Sequence, residues 1–262
     1  GVISGSGSLV KQGTGELILS GSNTFTGGVR VAAGTLRVGN ASIQGSVDAD
    51  ILNNAALVFN RSTDITYNNV ISGTGSLTQQ GNATLTLSGL NLYTGLTSIN
   101  SGTLALSGGN ALPDAAAVVL ADNAGAVLRL NDAETIGSLA GGLGTGRVEL
   151  QNYRLTLGDS NSTTIAAAIS GTGGLIKRGS GVVTLSGTNT FEDLLRVNEG
   201  TVSLASASAI RAATGVWIDN AAGATLDLGA SLTIGRLLGG GAMGGAVTLN
   251  SNTLTTGDDA DS

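Results

Sequence analysis

Cysteine and histidine are absent from this chain of 262 residues, and proline occurs once. Without cysteine there is no disulfide and no thiolate metal site. Without histidine the Ser–His triad is impossible. Charge is sparse as well: Asp, Glu, Lys and Arg make up 11%, against about 25% in an average soluble protein. The twelve Lys and Arg are scattered, Lys177-Arg178 being the one adjacent pair, and the net charge is −6 at pH 7. Nucleic-acid binding needs clustered basic residues, so no nucleic-acid partner is expected. The same balance argues against attraction to an anionic membrane surface. No apolar run of about 18 residues occurs, which excludes a transmembrane helix. The opening residues GVISGSGSLV are neither basic nor continuously apolar, so they do not read as a signal peptide. Any export signal of the parent is expected outside this chain.

What the chain does have is glycine, 43 residues of it, and a 41% share of hydrophobic residues. It also has internal repeats. Residues 3–38, ISGSGSLVKQGTGELILSGSNTFTGGVRVAAGTLRV, align without a gap with residues 71–106 and with residues 169–204. The leading Ile-Ser-Gly recurs, as do Leu9/Leu77/Leu175 and the Leu-Ser-Gly ending at Gly21/Gly89/Gly187. Asn23/Asn91/Asn189, Phe25/Tyr93/Phe191 and the closing Gly34-Thr35, Gly102-Thr103 and Gly200-Thr201 complete the unit. A longer unit, 71–168, repeats from 169 onward. VVLADNAGAVLRLNDAETIGSLAG (118–141) aligns with VWIDNAAGATLDLGASLTIGRLLG (216–239), and RVELQNYRLTLGD (147–159) with AVTLNSNTLTTGD after a one-residue insertion. Residues 1–262 therefore read as one segment cut from a longer array.

Apolar residues fall at every second position, as in Leu17, Leu19, Leu36 and Val38. Period two means strand with one face buried. The step from Leu17 to Leu36 is nearly the step from Leu9 to Val29. A step of about 20 residues, with short strands and Gly, Asn and Ser at the corners, fits one coil of a right-handed parallel β-helix. About 20–23 residues per coil gives roughly 12 coils. The aromatics of the three copies are expected several coils apart, each on Leu and Val. A β-sandwich is the competing architecture.

The pattern I-S-G-x-G-x-L-x-K-x-G-x-G-x-L-x-L-S-G-x-N-T-F-T-G-G resembles the autotransporter-associated β-strand repeat. That repeat belongs to the passengers of bacterial type V autotransporters. Gln79 stands where the family favours Lys, and Glu192-Asp193-Leu194 replaces the Thr and Gly of the other copies. The resemblance implies export through the periplasm and an outer-membrane translocator barrel, to the bacterial cell surface or the medium. It implies, too, that folding outside the cell draws the chain out. A cysteine-free chain suits this route, since no disulfide can form in the oxidising periplasm before passage.

Residue patterns that could carry chemistry are few. Gly239-Gly240-Gly241-Ala242-Met243-Gly244 matches G-x-G-x-x-G, but a strand, Ala246-Val247-Thr248-Leu249, follows where a nucleotide site needs a helix. Gly141-Gly142-Leu143-Gly144-Thr145-Gly146-Arg147-Val148 resembles a calcium roll, with Gly146 at the position of the required carboxylate. Acidic residues cluster at Asp48/Asp50, Glu192/Asp193 and Asp258/Asp259/Asp261. Neighbours in a strand point to opposite faces, so Glu192 and Asp193 are expected to diverge unless a turn holds them, and a solvated turn is the default reading of such acidic groups. The Asn60-Arg61-Ser62 sequon is a chance occurrence in so Asn- and Ser-rich a chain. No catalytic, cofactor or metal residue is assigned, and the chain is not read as an enzyme. The expected role is a structural stalk of a surface adhesin, with repeats that assist folding and export. The alternatives are a directly adhesive or self-associating segment, through the Ser/Thr/Asn-rich sides or Glu192-Asp193 and with host surface or matrix molecules as partners, and, more remotely, a glycan-active enzyme.

Overall fold

The computed structural model describes residues 1–143 and 145–257. It contains strands and turns, every paired strand is parallel to its neighbour, and there is no helix among the described residues. The longest sheet has twelve strands, from Glu16–Leu19 to Ala246–Thr248. This long face rules out a two-sheet antiparallel sandwich and matches the expected coil number.

The chain winds around three faces in a fixed cycle. A leading face comes before each strand of the long face. It begins with the four-stranded sheet of Leu9–Lys11, Val29–Val31, Ile51–Asn53 and Ile71–Ser72. It resumes in the six-stranded sheet from Glu134–Ile136 to Leu237–Gly239. A trailing face follows the long one, and its main sheet runs from Ile65–Tyr67 to Ala168–Ser170. Leu17 is partnered with Leu36 in the next coil, and Val202 with Leu226 across a longer coil. The coil step therefore varies at the corners while the strands stay in register.

Alternation sets the core. In Thr84–Leu87 and Thr103–Leu106 the leucines Leu85, Leu87, Leu104 and Leu106 are fully buried, and they stack on Leu128 and Leu130 of the next coil. Burial of each leucine is worth about 1.5–3 kcal/mol. Leu9 and Leu17, expected inside, are half-buried: Leu9–Lys11 and Glu16–Leu19 are each the outermost strand of their sheet, so one side of each core row has no neighbour. Phe25, Tyr93 and Phe191 are buried in separate places. The edge-to-face pair of the core, Phe59 and Tyr67 at 5.7 Å, is made by residues outside the expected set.

The copies are not in phase with the coils. In the first copy Leu9–Lys11 lies on the leading face and Glu16–Leu19 on the long face; the third repeats this with Leu175–Lys177 and Val182–Leu185. In the second copy Ser76–Gln79 lies on the long face and Thr84–Leu87 on the trailing face. The middle copy is thus turned by one face, a third of a coil. One sequence motif is presented in two directions around the same column.

Candidate functional site

Each of the three copies carries buried polar groups at the joints between coils. Asn23, Asn91 and Asn189 are almost completely buried. In each copy the Asn Oδ1 accepts the backbone N–H of the leading isoleucine one coil below: Ile3 at 2.9 Å, Ile71 at 2.8 Å and Ile169 at 2.8 Å. In each copy Nδ2 donates to a carbonyl one coil above: Ser46 at 2.9 Å, Ala111 at 2.7 Å and Ala209 at 2.7 Å. One side chain therefore ties three successive coils. The aromatic two residues later seals the joint, because two positions on in an extended segment again point inward.

A second polar plug sits in the turn after the strands Leu9–Lys11, Ser76–Gln79 and Leu175–Lys177. Lys11 Nζ donates to the carbonyls of Gln12, Gly13 and Ala33 at 2.8, 2.7 and 3.0 Å. Lys177 Nζ donates to Arg178, Gly179 and Glu199. Gln79 replaces the ammonium with an amide and donates to Gly81 and Ala83, at 2.8 and 2.9 Å. The departure seen in sequence thus keeps the plug within its own turn and gives up the bond to the next coil. Burial pushes the Lys177 amine below its usual range, against the opposing pull of Glu199 and Asp159. The Gly-Thr that closes each copy has its reason here. Gly34, Gly102 and Gly200 have φ of +70°, +64° and +69°, and a side-chain carbon on any of them would meet a backbone oxygen at 2.2–2.3 Å.

Glu134 was not singled out from the sequence. It is buried on the leading face, and its carboxylate accepts the N–H groups of Leu112 at 3.0 Å and Ala111 at 3.3 Å. Burial pushes its pKa up to about 7; the two N–H groups oppose this, while Asp114 and Asp132 add to it. At the offset that brings the second copy onto the third, its counterpart is the buried Leu232. No periodic signal marks a Glu that replaces a core leucine in one unit of two.

The acidic candidates serve the outside of the column. Glu192 and Asp193 lie in the bend before the strand Leu195–Val197 and not in a strand; Glu192 pairs with Arg211 at 2.8 Å and Asp193 with Arg154 at 2.7 Å, one on each side of their own coil. Asp48 accepts the side-chain amide of Asn69, and Asp50 the N–H of Val70, each one coil on. Asp258, Asp259 and Asp261 lie outside the described residues. Gly239–Gly244 forms a turn closed by a Gly241–Gly244 bridge and leads into the strand Ala246–Thr248. In the calcium-roll-like stretch Gly141 and Gly142 turn with positive φ, Thr145 bonds Asp122, and Gly144 lies outside the described residues. Among the described residues no three His, Cys, Asp or Glu side chains gather as a metal site. Asn60, of the sequon, sits in the strand Ala56–Arg61 beside Arg61, whose guanidinium holds the carbonyls of Ile43 and Gly45. Among the described residues, then, the built features join coils.

The passenger-associated-transport-repeat profile matches residues 9–38, 77–106 and 175–204, inside the three copies. The chain is 33% identical over 300 aligned positions to the adhesin BmaC autotransporter of Brucella suis biovar 1 (strain 1330). That alignment takes in 97% of this chain and 8% of the relative, so the chain spans a small fraction of the relative's length. No solved structure matches the chain.

Proposed function

We propose, from the premise that this chain is an autotransporter passenger segment built on passenger-associated transport repeats, that its work is mechanical. It is a stalk segment of a longer surface-exposed or secreted passenger, exported across the outer membrane, that carries an adhesive region away from the cell. Its own translocator barrel is the partner during export. The repeats assist by folding one coil onto the last, so that closing each coil opposes return of the chain. The observation that carries this reading is the Asn side chain tying three coils in every copy.

The stacking of the core supports the mechanical role. Stacked coils bury leucine on leucine, and solenoid stability adds coil by coil through nearest neighbours. The relative is named an adhesin, which favours an adhesive parent. Non-enzymatic function follows from the same reading, since the acidic side chains that sequence singled out within the described residues bond between coils. The test places Leu36→Asp, at a fully buried position, in the full-length exported parent. The expected result is a several-fold fall in surface-exposed passenger with normal synthesis. Unchanged export would defeat the reading.

A further inference from the structure

The coils of this solenoid are nearly interchangeable in their apolar parts. Leu-x-Leu stacks on Leu-x-Leu at 85/87, 104/106 and 128/130. Coil length is not uniform either: the coil from Val202 to its partner Leu226 is longer than the one from Leu17 to its partner Leu36. A strand that slid by two positions against its neighbour would keep its apolar side inward, because the side-chain period is two. Neither the hydrophobic pattern nor the coil length forbids that slip. Something else must select one register.

We infer that Asn23, Asn91 and Asn189 are register keys: each makes its copy the point at which neighbouring coils can pair in one way alone. A slip of two positions moves the chain by about 6.6 Å along the strand. A slip against the coil below takes Asn91 Oδ1 away from the N–H of Ile71, now 2.8 Å away, and a slip against the coil above takes Nδ2 away from the carbonyl of Ala111, now 2.7 Å away. Either slip leaves a backbone group and one end of the amide buried and unpaired, which is costly in a low-dielectric core. A leucine at the same place would tolerate either pairing. Polar groups that fix register at some expense of stability are known from coiled coils. Lys11 and Lys177 reinforce the first and third keys by reaching a carbonyl of the next coil, Ala33 and Glu199. Gln79 does not reach beyond Ala83, so the middle copy depends on Asn91.

The inference rests on the reading of the repeats as folding elements, and its test needs no export. The cysteine-free chain allows cysteine pairs to report register cleanly. Thr78 and Ser98 are bonded partners on the long face, outward-facing, with Asn91 on the chain between them. Thr78 and Asn100 would be brought together by a slip of two positions. Each pair is placed in the chain alone, with N91L and with L104A, which opens a cavity at a fully buried position and removes no polar key. The proteins are unfolded, refolded and oxidised. The expected result is the slipped disulfide in at least about a tenth of N91L molecules, and the native disulfide alone in the chain itself and in L104A. Native pairing alone in N91L overturns the inference, and so does slipped pairing in both variants, which would mark general loosening. If N91L does not refold, N189L combined with K177Q, which gives the third copy the glutamine of the middle one, is read out with Thr184/Ser203 as the native pair and Thr184/Ala205 as the slipped one, with the same criteria. An export defect with a faithful register would leave the folding-for-export reading standing and this inference fallen.

Discussion

Lys177 lies directly beneath Gly200: a side-chain carbon on the glycine would stand 2.9 Å from the lysine amine, and Lys11 lies beneath Gly34 at 2.7 Å in the same way. The spacing along the chain from lysine to glycine is the same in both copies, and the two positions belong to neighbouring coils. The ammonium can collect three carbonyls because the residue above it has no side chain. Lysine and glycine in this repeat are therefore one device, and the turn they share is where successive coils touch most closely.

Gly200→Ala should consequently cost more than an ordinary substitution in a turn. A left-handed backbone costs an L-residue about 1–2 kcal/mol. The new carbon would also meet the Gly179 carbonyl oxygen at 2.3 Å, which forces the backbone to shift. A loss of about 2–4 kcal/mol is expected, measured as a lower urea midpoint or as faster amide exchange in the coil of Val182–Leu185. Because the carbonyl contact does not involve the lysine, adding Lys177→Met should not restore the loss. Recovery in the double variant would show that the ammonium, and not the backbone, sets the requirement.

Glu134 gives stability a pH dependence with a definite sign. Its pKa is about 7 in the folded chain against an ordinary 4.5, so between those values the folded state holds the extra proton. Its contribution to stability is complete below about pH 4.5 and is lost as the pH rises through about 7. The groups that face it are the N–H groups of Ala111 and Leu112 and the side chains of Asp114, Asp132 and Tyr93. Glu134→Leu copies the residue that the second unit carries at this place. The difference in stability between the two proteins should grow in favour of the leucine variant from pH 4.5 to pH 8, by roughly 1–3 kcal/mol. Parallel pH profiles from chemical denaturation would contradict the assignment.

Much of this architecture is legible in the residues. The spacing of Leu9 to Val29 and of Leu17 to Leu36 is the spacing of bonded partners, because period-two strands separated by glycine corners have few other ways to bury one side. The recurrence of Asn and of Lys or Gln marks the joints, though not what they bond: three copies show that a position matters, and only the stacked coils show that Asn91 reaches both Ile71 and Ala111. The rotation of the middle copy is hidden, because corners of unequal length add to the residue count without adding a face. Glu134 is hidden for a different reason. A carboxylate among apolar positions reads as exposed until the two N–H groups that hold it are seen.

That rotation decides which shortening of the column can fold. The sequence unit 71–168 is the natural piece to delete, but its removal joins Val70, which precedes a leading-face strand, to Ile169 on the trailing face. The chain would re-enter the column one face out of step, with apolar rows meeting corners. Deleting 71–154 instead joins Val70 to Leu155, which opens a strand on the same leading face as Ile71, with buried side chains at both positions. That removes four whole coils, about 19 Å of column at about 4.8 Å per coil. The shorter deletion should give a soluble protein with a β spectrum and cooperative unfolding, and in the exported parent a shorter stalk whose distal region still functions. The deletion of 71–168 should be protease-sensitive or insoluble, although it follows the repeat boundary and differs only in also removing 155–168. Equal folding of the two would mean that the corners can absorb a third of a turn, and that coil phase imposes no constraint on which repeats can be removed.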